Sequence, residues 1–245
     1  MTSRETTGLL PRDHAANAHV GWADRAAVAL LAPFTAPFLL KSLRGGAKHE
    51  KQRLCRRLDL APDALPNLGS WKADTGFLHL IVDHILEHRP QRVVEFGCGA
   101  SSLVIAAALK QVGCPPHLSF DQHADFVDQT RGWLREHGLE AEIRHAALKP
   151  IDDDWPGLFY DTGALEDGVE LMIIDGPPWT IHPMTRGGAA RLFGHLAPGA
   201  TVLLDDAARP GERLVARRWK KAHPEIDFHL WKGGEKGTLV GRKRG

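Results

Sequence analysis

Two glycines one residue apart follow an apolar run in Val93-Val94-Glu95-Phe96-Gly97-Cys98-Gly99-Ala100-Ser101-Ser102. Gly97 can take backbone conformations closed to residues with a Cβ. Gly99 removes a side chain where a ligand would approach the main chain, and Ser101 or Ser102 can cap a helix starting there. About twenty residues on, Asp121 closes Leu118-Ser119-Phe120-Asp121, the distance at which a carboxylate meets the ribose of a ligand held on such a turn. A carboxylate can accept hydrogen bonds from both vicinal hydroxyls, each charge-assisted bond contributing about 1.5–3 kcal/mol. A plain tight turn and a helix-capping Asp121 are the competing uses. Together the turn and the acid read as a nucleoside site. No Lys-Ser/Thr pair follows the turn, and Ser102 stands where the third glycine of Gly-x-Gly-x-x-Gly falls, which weakens a dinucleotide reading.

Further acids end later apolar runs. Asp175 follows Leu171-Met172-Ile173-Ile174, and Asp205 and Asp206 follow Thr201-Val202-Leu203-Leu204. Such oxygens can hold Mg²⁺ or Ca²⁺ with waters completing the shell; a solvated loop is the alternative. His182, seven residues past Asp175, titrates near neutral pH and can act as a general base; a plain loop histidine is the alternative. Trp71, Trp155, Phe159, Tyr160 and Trp179 are candidate walls of a substrate pocket. Trp71 serves equally as core packing, and Trp179 is the better placed because Asp175-Gly176-Pro177-Pro178-Trp179 must bend sharply beside Asp175. Among 14 histidines chance pairs are expected, and the i,i+4 pair His84 and His88 lacks a completing zinc ligand. Cys98 reads as a small filler, and Asp152-Asp153-Asp154 as a solvated loop.

The elements that position these residues show in the hydrophobic pattern. Asp74 can cap a helix to about His88, with Phe77, Leu78, Ile81, Ile85 and Leu86 on one face, and Pro90 ends it. Strands at 92–96, 118–121, 142–145, 169–175 and 200–204 then alternate with helices at 101–112, 124–137, 183–196 and 212–222. Strands at 226–231 and 238–242 close the chain around a Gly-rich turn. Alternation requires crossovers, hence an α/β fold with a mostly parallel, doubly wound sheet and one antiparallel strand from the final hairpin. Ligands bind such sheets outside the C-terminal strand ends, where the residues above fall. Residues 1–90 look helical. The run 26–40, Ala26 to Leu40, is broken by Pro33 and Pro37 and is shorter than the ~20 residues of a membrane span. It reads as two short packing helices, or as a segment docking on a membrane surface or a partner, with Lys41 and Arg44 beside it.

Composition narrows the class. Thirty-one basic and 30 acidic residues leave a net charge of +1, against a strongly basic nucleic-acid binder. Hydrophobic residues are 43% and charged residues 25%, as in ordinary globular chains. Cys55, Cys98 and Cys114 are too few for a disulfide scaffold, and with an N-terminus lacking the apolar core of a signal peptide they imply a cytoplasmic protein.

From about Leu65 to Arg242 the chain resembles class I S-adenosylmethionine-dependent methyltransferases, closest to the bacterial branch similar to the small catechol-type O-methyltransferases. The matching segments are VVEFGCGASS, LSFDQHADF, LMIIDGPP and TVLLDDAARPGE, in order and at compatible spacing. The resemblance implies a Rossmann-like seven-stranded sheet with the last strand antiparallel, as a domain at 65–245 behind an N-terminal helical extension at 1–64. It implies that Glu95, Gly97 and Gly99, with Cys98, Ser101 and Ser102 of the same turn, line the methionine and ribose part of S-adenosylmethionine. Asp121 would bind the ribose, and His145 or Ala146 would lie beside the adenine. Asp175 would face the sulfonium and the acceptor. Catechol-type relatives hold a divalent cation with an Asp after strand four and an Asp-Asn pair after strand five. Here Asp175 and Asp206 match, with Asp205 as a third ligand, while Ala207 replaces the Asn.

The residues suit a sulfonium better than a pyrophosphate. The glycine turn carries no basic side chain, whereas Glu95, Asp121 and Asp175 close three strands. The expected reaction is in-line methyl transfer to a small or medium acceptor, on oxygen, with Asp175, His182 and Asp206 as catalytic candidates and Trp71 and Trp179 against the substrate. A nicotinamide-dependent oxidoreductase and a non-catalytic cofactor-binding relative are the rival readings.

Overall fold

The computed structural model describes residues 15, 16, 18–69, 71–151 and 155–245. Asp152-Asp153-Asp154 and most of the first 17 residues lie outside them.

Helix α1 (Trp22–Ser42) is continuous through Pro33 and Pro37, where the sequence suggested two short helices. Each proline removes one backbone donor. The carbonyls this leaves unpaired belong to Ala29 and Pro33, both exposed, so water can satisfy them. Helix α2 (Lys48–Arg57) follows. Helix α3 (Thr75–His88) starts on Asp74, whose Oδ1 accepts the Phe77 amide at 2.8 Å. Asp74 Oδ2 also accepts the amides of Glu235 and Lys236 at 2.8 and 3.0 Å. One carboxylate thereby starts a helix and pins a distant turn.

The alternation predicted from 92 onward is present. It comprises β1 (Val93–Phe96), α4 (Ala100–Val112), β2 (Leu118–Asp121), α5 (Ala124–Glu136), β3 (Glu142–His145), a short pair β4 (Leu148–Pro150) and β5 (Leu158–Tyr160), β6 (Val169–Ile174), β7 (Leu196–Leu204), α6 (Pro210–Ala222), β8 (Ile226–Trp231) and β9 (Thr238–Lys243). The main sheet has seven strands in the order β3-β2-β1-β6-β7-β9-β8, and β9 alone runs against the rest. Leu171 and Ile173 of β6 face a core built with α3 and α4. Met172 and Ile174 face the other core, built with α6. This period-2 partition is what a strand covered on both sides requires. The first core also takes Leu54 and Cys55 of α2.

Two further features differ from the sequence reading. The antiparallel pair β4–β5 was not expected, its three-residue strands being too short to show a period. Residues 185–195 form 3-10 turns, Thr185–His195, rather than the expected helix. Gly187 and Gly188 lower α-helical propensity there, and Ile151, Trp155 and Phe159 fill the space beside them.

Registry sets the site. Phe96 pairs with Phe120 and Ile174, and Ile174 with Leu204. Gly97, Asp121, Asp175 and Asp205 therefore leave the sheet along one edge.

Candidate active site

Gly97 has φ +96°, and a Cβ there would come within 2.9 Å of the Gly176 nitrogen. Gly99 has φ +152°, and a Cβ there meets nothing within 4 Å. The first glycine lets two strand ends touch; the second leaves the main chain open to the cleft. Behind the turn, Ser102 Oγ accepts the Gly99 amide at 3.0 Å and donates to Glu95 Oε2 at 2.5 Å. Glu95 is fully buried with His117 Nε2 at 3.4 Å. It braces the turn from inside rather than lining the cleft, because its strand position points into the core.

Asp121 joins two turns. Its Oδ2 accepts the Cys98 amide at 3.0 Å and its Oδ1 the His123 amide at 2.8 Å. Burial pushes its carboxyl up to about 7, against the lowering effect of these amides. Each oxygen keeps a lone pair for a ligand hydroxyl. Burial also pushes the Cys98 thiol up, with Asp121 adding to it, so Cys98 is a neutral filler 3.4 Å from Thr130 Oγ1.

The acids after β6 and β7 meet. One oxygen from each of Asp175, Asp205 and Asp206 lies within 4.8 Å of the others. Three buried cations stand among them. Arg186 Nη1 is 2.9 Å from Asp206 Oδ2 and its Nη2 3.3 Å from Asp175 Oδ1. Arg209 Nη2 is 2.8 Å from Asp206 Oδ1. Lys236 Nζ is 3.3 Å from Asp205 Oδ2 and 3.4 Å from Asp206 Oδ1. Burial raises the Asp206 carboxyl, but Arg209, Lys236 and Arg186 outweigh it and hold the group well below the carboxylate range. Burial pushes Asp175 up to about 6 against Arg186 and Lys236. Asp205 is pushed well up by burial, with Lys236 opposing.

This set does not fit a divalent ion. Oδ1 of each aspartate accepts no hydrogen bond, as a metal ligand would require. Both oxygens of Asp206 nevertheless face guanidinium groups, three positive side chains already stand among the three aspartates, and Ala207 offers no ligand. A further +2 would sit against three cations in a low-dielectric interior.

A cavity of about 320 Å³ opens above these residues, within the size range of small-molecule sites. Of the expected residues, Trp71, Gly97, Cys98, Gly99, Ser101, Asp121, Asp175, Trp179 and Asp206 line it. Glu95, Ser102, His145, Ala146, His182 and Asp205 are not in its wall. His145 is exposed, its Nε2 3.1 Å from the Gln122 carbonyl, and Ala146 is buried with its amide on the Asp121 carbonyl at 2.9 Å. His182 Nδ1 accepts the Met184 amide at 3.0 Å, and burial lowers its pKa; its basic nitrogen is spent on the backbone. Of Trp155, Phe159 and Tyr160 only Tyr160 reaches the cavity, donating to Gln122 Oε1 at 2.9 Å. Trp155 donates to the Met184 carbonyl at 2.9 Å.

The reading missed Phe126, Arg186 and Arg209. Phe126 stacks parallel on Trp71, ring centroids 5.8 Å apart. Its signal was present in LSFDQHADF, as was that of Arg209 in DDAARPGE. Arg186 lay inside a presumed helix and gave none.

An open parallel sheet with its cleft at a glycine turn, an acid after β2 and an acid after β6 defines a nucleoside-cofactor enzyme of the Rossmann-like class. Residues 94–207 match the methyltransferase domain family. Among solved structures, the chain is similar to a methyltransferase from Geobacter sulfurreducens (TM-score 0.54, 16% identity, 80% of this chain and 88% of that one). It is similar to the SAH-bound methyltransferase PaMTH1 of Podospora anserina (TM-score 0.57, 13% identity, 94% and 100%). It is also similar to an O-methyltransferase from Bacillus cereus in complex with SAH (TM-score 0.53, 12% identity, 89% and 99%). A search of curated proteins finds no match. Residues 94–207 thus carry a methyltransferase domain, on the fold that these methyltransferases share.

Proposed function

We propose that the chain methylates a hydroxyl oxygen of a small-molecule acceptor, and does so without a divalent metal. Two buried groups on residues that line one cavity carry the reading. Trp179 Nε1 is a donor with no acceptor, and Asp175 Oδ1 has only the Arg186 guanidinium, 3.3 Å away. A hydroxyl oxygen, which both donates and accepts, complements the pair. Asp175, at about 6, is ionised at neutral pH and suited to take the acceptor's proton on Oδ1.

The glycine turn and Asp121 fit the cofactor, since the open space at Gly99 admits it to the main chain. S-adenosylmethionine supplies an electrophilic methyl carbon on a cationic sulfur. Asp121 binds the ribose hydroxyls, and Asp175 gives the sulfonium a negative neighbour. Arg186 and Arg209 fix Asp206 and the Asp175 loop. The division into an extension at 1–64 and a catalytic unit at 65–245 belongs to this reading, as does the cytoplasm as its place of action.

The test is calorimetric titration with S-adenosylhomocysteine and NADH, repeated after EDTA treatment, alongside Mn²⁺ titration followed by electron paramagnetic resonance. Micromolar S-adenosylhomocysteine binding unaffected by EDTA, no NADH binding and no ordered Mn²⁺ are expected. NADH binding in place of the adenosyl ligand overturns the cofactor reading. Stoichiometric Mn²⁺ lost on Asp206→Asn overturns metal independence.

A further inference from the structure

We propose that the outer face of α1 seats on an anionic lipid surface, lying in the plane of the headgroups. The inner face of the helix is engaged with the protein body. Thr35 and Ser42 are buried there, and Arg213 of α6 stacks over the Phe38 ring at 5.8 Å. The outer face is apolar from end to end, through Trp22, Ala26, Leu30, Pro33, Phe34, Pro37 and Leu40. Trp22 is 84% exposed, Leu30 73%, Phe34 64% and Leu40 63%. Large apolar side chains are rarely left so bare in a row. With Leu43, five of the seven exposed large hydrophobics among the described residues fall within this one segment.

Charge selects the occupant. The charged side chains exposed at the rim of the stripe are Arg25 at one end and Lys41, Arg44 and Lys48 at the other. The helix's one acid, Asp24, takes the Gly21 amide at 3.2 Å. A second copy of α1 packed antiparallel would set Arg25 against the other's Lys41 and Arg44, and a parallel copy would set like ends together. Both arrangements place cations against cations. An anionic bilayer offers apolar depth for the stripe and negative headgroups for its rim, about 1 kcal/mol per basic residue near such a surface. The length suits this role: 21 residues at 1.5 Å each make an apolar strip about 30 Å long. Leu39 of α1 also lines the cleft beside Pro66 and Trp71, so the seat borders the cleft.

The experiment is flotation of the full chain with vesicles of phosphatidylcholine alone or with 30% phosphatidylglycerol (a chosen composition, ~30%, to give a clear surface charge). The bound fraction should rise at least about tenfold with the anionic lipid and fall with added salt. Dibrominated lipid should quench tryptophan fluorescence, and Trp22→Phe should remove most of that quenching. Leu30→Glu/Phe34→Glu should abolish flotation while leaving S-adenosylhomocysteine affinity unchanged, since neither side chain is buried. No flotation with anionic vesicles overturns the proposal. So does a concentration-dependent dimer in sedimentation that Phe34→Glu dissociates, which would assign the face to a second copy. Flotation without any adenosyl-ligand binding would leave this surface standing and sink the methyltransferase reading alone.

Discussion

Arg186 bridges the two loops that end β6 and β7, with Nη1 2.9 Å from Asp206 Oδ2 and Nη2 2.7 Å from the Asp175 carbonyl. Nε reaches the Pro177 carbonyl at 3.2 Å. Asp206 needs such a partner because it is 1% exposed, and a buried carboxylate is costly unless paired. Removing Arg186 leaves Asp206 with Arg209 and Lys236, so the loss falls at the lower end of a broken buried pair, about 3 kcal/mol. Arg186→Met should therefore lower unfolding free energy by about that amount in urea titrations. Arg186→Lys should lose less, since it keeps the charge and gives up the guanidinium fork. A methionine variant as stable as the parent would show that the network contributes nothing to folding.

Asp121 predicts how cofactor affinity depends on pH. Its carboxyl is pushed up to about 7 by burial in the ligand-free protein. The ionised form is the better acceptor for ribose hydroxyls and the better neighbour for a cation. Proton and ligand therefore compete, and S-adenosylmethionine affinity should rise about tenfold from pH 6 to pH 8. Asp121→Asn should bind weakly with a flat profile. A parent enzyme equally tight at both pH values would remove Asp121 from the binding site.

Much of this site was readable before any coordinates. Gly97, Gly99, Asp121 and Asp175 announce themselves because a strand end, a missing Cβ and a carboxylate are local features, and all four line the cleft. Arg186 and Lys236 were not readable, because what places them is not local. Lys236 reaches Asp205 because the turn carrying it is pinned by Asp74 from 162 residues away, a relation no window of sequence contains. Glu95 and His182 were misplaced because residue type shows that a group can titrate, not which way its strand or loop turns it. At α1, Pro33 and Pro37 do not break the helix because the carbonyls they leave unpaired lie on its exposed face.

Buried acids also set the stability profile. Glu212 and Asp121 are each pushed up to about 7, foremost by burial. Their folded pKa values exceed the unfolded ones near 4, so the native state holds more protons between those limits. The stability they contribute is present below about pH 4 and is lost as pH rises through 7. The ligand-free protein should melt several degrees lower at pH 8 than at pH 5.5, and Glu212→Gln should flatten the slope. A melting temperature that rises over this interval would contradict the sign.

The two glycines of the turn make opposite predictions when each is changed to alanine. At Gly97 the new Cβ lies 2.9 Å from one backbone nitrogen and 3.0 Å from the Asp175 carbonyl carbon, and neither is a flexible chain end. Gly97→Ala should therefore weaken the fold itself, by about 1–3 kcal/mol from strain, and lose ligand binding with it. At Gly99 the new Cβ meets no protein atom within 4 Å. It enters the space assigned to the cofactor, with the backbone strain of a residue at φ +152° but no clash. Gly99→Ala should lose less of the urea midpoint than Gly97→Ala, yet weaken S-adenosylhomocysteine binding at least about tenfold, or 1.4 kcal/mol. Calorimetry and urea titration on the same two variants separate the cases. Unimpaired binding by Gly99→Ala would mean that the cofactor does not approach the main chain at this turn.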